Sequence, residues 1–169
     1  IGTQHGGILV DFNAVKGGIE IIPLDNDWQK AAHVYSDEVL ISHRTDAEKG
    51  TPKFERGKSL SDHQCEMIYI SGTAAIRGEE SIVTGDVLVQ TEITLENIQH
   101  LIGLEEGREK LPEHSGKLEL LRVYLKHEED AKIVKEDMDK LCPDVPIVYL
   151  YADVCREELL VEIEGIAYL

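Results

Sequence analysis

Two carboxylates close the chain in Val161-Glu162-Ile163-Glu164, and Ser71-Gly72-Thr73 interrupts an apolar run with small and hydroxyl-bearing residues. These are the places where this chain could do chemistry. A carboxylate set among apolar neighbours has its pKa raised, which is what proton transfer near neutrality asks of a general acid or base. Glu162 fits that description, because Leu160, Ile166 and Tyr168 share its side of an alternating pattern. It would equally serve as a strand glutamate bonded across an interface. Ser71-Gly72-Thr73 could offer hydroxyls and backbone amides to an anion, or permit tight packing at a strand end. Cys155 beside Arg156 needs an activating base to act as a nucleophile, and no histidine lies near it in sequence, so a small buried residue is the plainer reading. Tyr149 and Tyr151 share a strand face, where they could stack on a cyclic ligand or pack in a core.

What is missing narrows the chemistry further. The three cysteines (Cys65, Cys142, Cys155) have no CxxC spacing, and the seven histidines form no ligand set, so no metal site is expected. With no phosphate loop, dinucleotide fingerprint or serine elbow, no cofactor is expected either. The net charge of −16 repels phosphate backbones, which argues against nucleic-acid binding. No apolar run reaches the ~18 residues of a membrane helix. No leader pattern opens the chain, and the odd cysteine count favours a reducing compartment, so a cytoplasmic location is expected. The first residue is Ile1 rather than Met, as in a fragment, a proteolysed product or a trimmed chain.

These residues need elements to hold them. At 169 residues, 42% hydrophobic and 30% charged, the sequence suits one globular domain plus an extension. Ile8-Leu9-Val10 and Ile19-Glu20-Ile21-Ile22 around Gly17-Gly18 predict a hairpin. Asp25 to Trp28 predicts the cap of a short helix running to Tyr35, Val39 to Ser42 a strand, and Thr45 to Gly57 a loop. Met67 to Ser71 predicts a strand. A helix follows with Thr84 as N-cap and Asp86 in its first turn. Its buried face is Val87, Leu88, Thr91, Leu95, Ile98 and Ile102, and Gly103 is its stop. Residues 104–116 read as a loop, Leu118 to Leu125 as a strand, and Glu128 to Leu141 as a second helix with Ala131, Val134, Met138 and Leu141 on one stripe. Ile147 to Tyr151 and the closing Leu159 to Leu169 are strands. The order from residue 65 is β-α-β-α-β-β, an α+β fold with two helices on one face of a mixed sheet. Ile68, Ile70, Val148 and Leu150 cannot all face two helices, so a subunit contact over the second face is expected.

Ile70-Ser71-Gly72-Thr73, Gly85-Asp86-Val87 with Gln90-Thr91, Leu95-Glu96-Asn97-Ile98, Val123-Tyr124-Leu125 and Val161-Glu162-Ile163-Glu164 with Ile166-Ala167 resemble the RidA/YjgF superfamily. That superfamily has also been labelled "endoribonuclease L-PSP" and "translation initiation inhibitor". The resemblance divides the chain into residues 1–53, a hairpin and irregular extension, and 54–169, a RidA/YjgF-like (chorismate-mutase-like) domain. Ser71 to Gly78 and Ala152 to Arg156 resemble more narrowly the C-terminal half of chorismatases, which hydrolyse chorismate. Those enzymes carry a further N-terminal domain, and its absence here implies a fragment or a shortened relative. The resemblance implies a homotrimer that binds a small carboxylated metabolite in clefts between subunits. Glu162 takes the place of the cleft carboxylate that acts on the vinyl ether. Ser71, Gly72 and Thr73 line the cleft, Phe54 stands where an aromatic residue is common, and Tyr149, Cys155 and Arg156 complete the expected ligand-binding set. Imine-deaminating relatives carry a substrate-gripping arginine where this chain has Ile147, which argues against a deaminase; Arg156 is the candidate replacement. The remaining expectations are a ligand-binding trimer without catalysis and, disfavoured by charge, a ribonuclease.

Overall fold

The computed structural model describes residues 12–40, 50–62, 65–103 and 117–168. Among them, a six-stranded sheet runs in the order β1 (Glu20–Leu24), β2 (Gly57–Ser61), β3 (Glu66–Thr73), β8 (Val161–Tyr168), β6 (Lys117–Leu125), β7 (Ile147–Tyr151). Only the β6–β7 pair is parallel. A ribbon of β4 (Ile76–Arg77) and β5 (Glu80–Ser81) stands apart from the sheet. Helices α1 (Val87–Leu101) and α2 (Ala131–Leu141) cover one face, as the α+β reading with two helices on a mixed sheet expected.

Asp86, not Thr84, caps α1: its carboxylate accepts from Leu88 N at 2.9 Å and Val89 N at 3.4 Å. Gly85 precedes it at φ +67, a backbone that glycine adopts without penalty. The expected stripe holds, with Ile98 fully buried. On α2, Val134 and Met138 are buried, but Leu141 is exposed and Cys142, the capping residue, takes the inner position. From Glu128 to Asp130 the predicted helix is a 3₁₀ turn. Ile68, Ile70, Leu121, Val123, Val161 and Ile163 complete the core between sheet and helices. Val148 and Leu150, by contrast, are exposed on the helix-free face.

The first third departs more from expectation. Glu20–Leu24 pairs with β2, a strand that the sequence does not announce because Lys58 and Ser59 break its apolar period. The expected partner run at residues 8–10 lies outside the described residues, as do Ile41 and Ser42 of the expected strand and the 104–116 loop. Between Asp25 and Tyr35 the chain forms a single 3₁₀ turn, Ala32–Val34.

Both edges of β8 meet an irregular neighbour. Ile70 pairs with Gly165 and Thr73 with Ile163, so β3 carries one extra residue at Ser71-Gly72. Such a bulge re-aims side chains and is frequent beside active sites. On its other edge, β8 meets a second bulge between Leu118 and Leu120 of β6.

Candidate active site

The β3 bulge opens onto a cleft of about 270 Å³, at the small end for ligand cavities. Six expected residues meet there: Phe54, Ser71, Gly72, Cys155, Arg156 and Glu162. Four that the sequence did not single out join them, namely Tyr35, Arg56, Ala74 and Ile76. A small apolar cluster of Ala74, Ala75, Ile76, Val154 and Leu159 packs at this end of the sheet.

Glu162 is placed by its neighbours on either side. Gln90, fully buried on α1, accepts from Leu160 N at 2.8 Å and donates to Glu158 O at 2.9 Å, which fixes the start of β8. A Cβ on Gly72 would collide with Glu162 Oε1, so glycine is what lets this carboxylate lie over the bulge. No described residue hydrogen bonds to the carboxylate. Burial, reinforced by the charge of Glu164, raises the Glu162 pKa. The carboxyl group is therefore kept in the form that donates a proton to a higher pH than an ordinary glutamate.

The same cleft carries two cationic side chains. Arg56 is 3% exposed and donates from Nη2 to Lys30 O at 2.6 Å and to Tyr35 Oη at 2.5 Å. Its Nε is buried without a partner among the described residues. Arg156 donates from Nη1 to Glu79 O and to Ser81 Oγ, both at 2.9 Å. The ring of Tyr35 lies under both guanidinium groups, 5.7 Å from Arg56 and 5.6 Å from Arg156, and Phe54 lies 5.2 Å from Arg56. These cation–π contacts hold two like charges at one cleft.

The hydroxyls behave differently from expectation. Ser71 Oγ donates to Glu55 O at 2.6 Å, and Thr73 Oγ1 to Ser71 O at 2.8 Å, so both protons serve the backbone. Thr73 is buried beyond the bulge and does not line the cleft. Tyr149 is also absent from it: its ring packs on the helix-covered core, near Asp139 and Cys142, with its hydroxyl buried and its pKa pushed up to about 12 by burial. Ile147 packs in the same core, so position 147 supplies nothing to the cleft. Cys155 stands at the cleft surface, and the protein packed around its sulfur, then the charge of Glu162, raise its pKa, which favours a thiol over a nucleophilic thiolate.

Asn97 is a second placing residue on α1. Its Nδ2 donates to Ala74 O at 3.0 Å and Ile76 O at 3.1 Å, which holds the cleft floor. Gln90 and Asn97 are amide side chains on the buried face of α1 beside Val87, Leu95 and Ile98, and an amide at such a position is the signal by which the sequence marks them. Arg56 and Tyr35 have no such signal, because their contacts come from segments without periodicity. Among the described residues no group of three or more metal-binding side chains occurs, and no helix is long and apolar enough to cross a membrane.

Comparison with known proteins places this architecture. The fold is that of the RidA/YjgF proteins: the YjgF gene product of E. coli superposes with a TM-score of 0.56 at 15% identity, covering 86% of this chain and 97% of its own. The sequence relatives of this chain include chorismatases and a 3-hydroxybenzoate synthase. A chorismatase from Streptomyces rapamycinicus is 33% identical over 174 residues, taking in 98% of this chain and 49% of the relative. A 3-hydroxybenzoate synthase from Streptomyces hygroscopicus is 32% identical over 179 residues, 98% of this chain and 48% of that one. A chorismatase crystal structure superposes with a TM-score of 0.68 at 27% identity, covering 87% of this chain and 43% of that chain. The chain thus spans about half the length of the curated relatives it matches. No family model matches the sequence.

Proposed function

We propose that the cleft binds a small carboxylated metabolite of the chorismate type and that Glu162 drives hydrolysis of its enol ether. The observation that carries this reading is the meeting in one cleft of a desolvated carboxyl group without a described partner and two buried arginines. Arg56 and Arg156 supply the cationic anchor that position 147 lacks, since a guanidinium grips a carboxylate through paired charge-assisted hydrogen bonds.

The chemistry is set by the state of Glu162. The carboxylic acid gives its proton to the terminal methylene carbon of the enol ether, and the adjacent carbon becomes an oxocarbenium ion. Water adds to that carbon, and its proton returns to the Glu162 carboxylate. As the bond between the hemiketal carbon and the ring oxygen breaks, the hemiketal hydroxyl loses its proton and the ring oxygen gains one, with no net change in protons, releasing pyruvate and a ring alcohol. General acid catalysis of this kind supplies about 10²–10⁴-fold in rate.

The reading includes a homotrimer. Val148, Leu150 and Tyr168 stand exposed on the helix-free face, and a contact between copies would cover them. The expected molar mass in solution by light scattering is three times that of the chain. Chorismate turnover, followed as pyruvate release, tests the catalytic part: wild type turns over and Glu162→Gln binds chorismate without turnover. Equal rates in both remove Glu162 from the reaction, and binding without turnover in wild type leaves a ligand-binding protein.

A further inference from the structure

Glu79 never reaches the cleft, yet the cationic side chains converge on it. It sits with Gly78 in the turn of the β4–β5 ribbon. Its carboxylate accepts from Ser36 N at 2.7 Å and Lys30 Nζ at 2.9 Å. Its carbonyl accepts from Arg156 Nη1 at 2.9 Å, and Ser81 on β5 accepts from the same nitrogen. The segment it captures carries the two groups that hold Arg56: the carbonyl of Lys30 and the hydroxyl of Tyr35, one residue before Ser36. Backbone bonds from Lys30 N to Gly78 O and from Gly78 N to Trp28 O, both 2.7 Å, seat that segment on the same turn. One residue therefore ties both arginines and the tyrosine ring between them to a single short ribbon.

We propose that Glu79 is a positioning residue that sets how tightly the cleft holds a carboxylate, an inference that rests on the reading of the cleft as a carboxylate site. The ion pair with Lys30 is partly exposed and contributes little by itself. The consequential bond is the one to Ser36 N, which fixes the backbone beside Tyr35. Lys30 and Ser36 hold the Glu79 carboxyl near a pKa of about 2, so the anchor is ionised at any ordinary pH. Without it, the backbone bonds at Gly78 and the bonds of Arg156 to Glu79 O and Ser81 Oγ remain, but the chain beside Tyr35 loses its tie to the ribbon, and the ring and hydroxyl that orient Arg56 lose a constraint.

The test uses the full chain and a matched pair of probes, 3-hydroxybenzoate and the neutral 3-hydroxybenzamide, by titration calorimetry. Wild type is expected to prefer the carboxylate. Glu79→Ala is expected to weaken carboxylate binding about tenfold, the size of one lost charge-assisted bond, while amide binding stays unchanged. Glu79→Gln keeps an oxygen for Ser36 N and is expected to recover part of the loss. A role in stability alone would weaken both probes alike with a lowered Tm, and that result overturns the inference. So does unchanged carboxylate binding in Glu79→Ala while Arg56→Met loses the preference, a result that leaves the cleft reading standing. No preference in wild type overturns the cleft reading and the inference with it.

Discussion

Glu162 and Glu164 leave the same face of β8 two residues apart, and they meet opposite conditions. Glu164 accepts from Arg122 Nη1 at 2.6 Å and from Tyr124 Oη at 2.8 Å. That carboxylate in turn raises the Arg122 pKa, and burial together with its charge pushes Tyr124 up to about 12. Glu162 faces Tyr124 directly in the β6–β8 register, yet the hydroxyl goes to the diagonal neighbour. Glu162 is left with burial and the negative charge of Glu164, and both raise its pKa. Strand alternation assigns both glutamates to one side, but the residues across the pairing decide which carboxylate is hydrogen-bonded and which is left buried with a raised pKa.

The largest expected effect separates the two by activity. Glu162→Gln is expected to lower chorismate turnover by about 10²–10⁴-fold, and Glu164→Gln, which keeps an acceptor oxygen, by no more than a few-fold. Similar losses at both positions would erase the distinction. The same contrast exists between two glycines. Gly72→Ala puts a methyl against the Glu162 carboxylate, and a misplacement of about 1 Å costs roughly 100-fold in rate. Gly165→Ala puts it 2.6 Å from Leu120 O, a backbone atom held in the sheet, and is expected to cost about 1–3 kcal/mol of stability instead. Turnover per folded molecule and urea unfolding, measured on both variants, should show the two losses exchanged.

Protonation gives the next comparison, between Glu162 and Glu79. A carboxyl whose folded pKa is raised binds its proton more tightly in the fold, so ionising it costs stability. The cost is absent below the ordinary value of 4.5, grows as pH rises and is complete above the folded pKa. Glu162→Gln should therefore raise Tm at about pH 8 and lose that advantage near pH 4. Glu79 has the opposite sign. Its pKa is lowered from 4.5 to about 2, so its contribution is present above 4.5 and disappears as pH falls toward 2. Glu79→Ala should lower Tm at neutral pH and converge with wild type in acid. Parallel Tm profiles for the two variants would contradict both assignments.

The regular half of the molecule was legible in the sequence because its information is local. Periods of two and of three to four residues mark β3, α1, β6, α2 and β8, and alternation on β8 puts Glu162 opposite the core. Tyr149 shows the limit of the same signal. Alternation says that it shares a face with Tyr151, but the packing of α2 decides that this is the covered face. Thr73 was lost to the bulge, which shifts the count by one and turns the side chain inward. Arg56 was not found at all. What buries it is a carbonyl 26 residues away and two aromatic rings, contacts that no local pattern encodes.

Tyr124 offers the smallest and finest test of the two glutamates, since it stands opposite one and bonds to the other. Tyr124→Phe keeps the ring and deletes the donor. Glu164 retains Arg122, so the loss is that of a single partly buried bond, roughly 0.5–1.5 kcal/mol. Turnover should stay at the wild-type level, because the hydroxyl does not reach Glu162. The Glu164 charge remains, and with it its share of the rise in the Glu162 pKa, so the pH at which activity falls should not move either. A drop in turnover with unchanged stability would mean that the hydroxyl serves Glu162 in the working protein, and the line between the hydrogen-bonded carboxylate and the one left buried would then have to be drawn through Tyr124 itself.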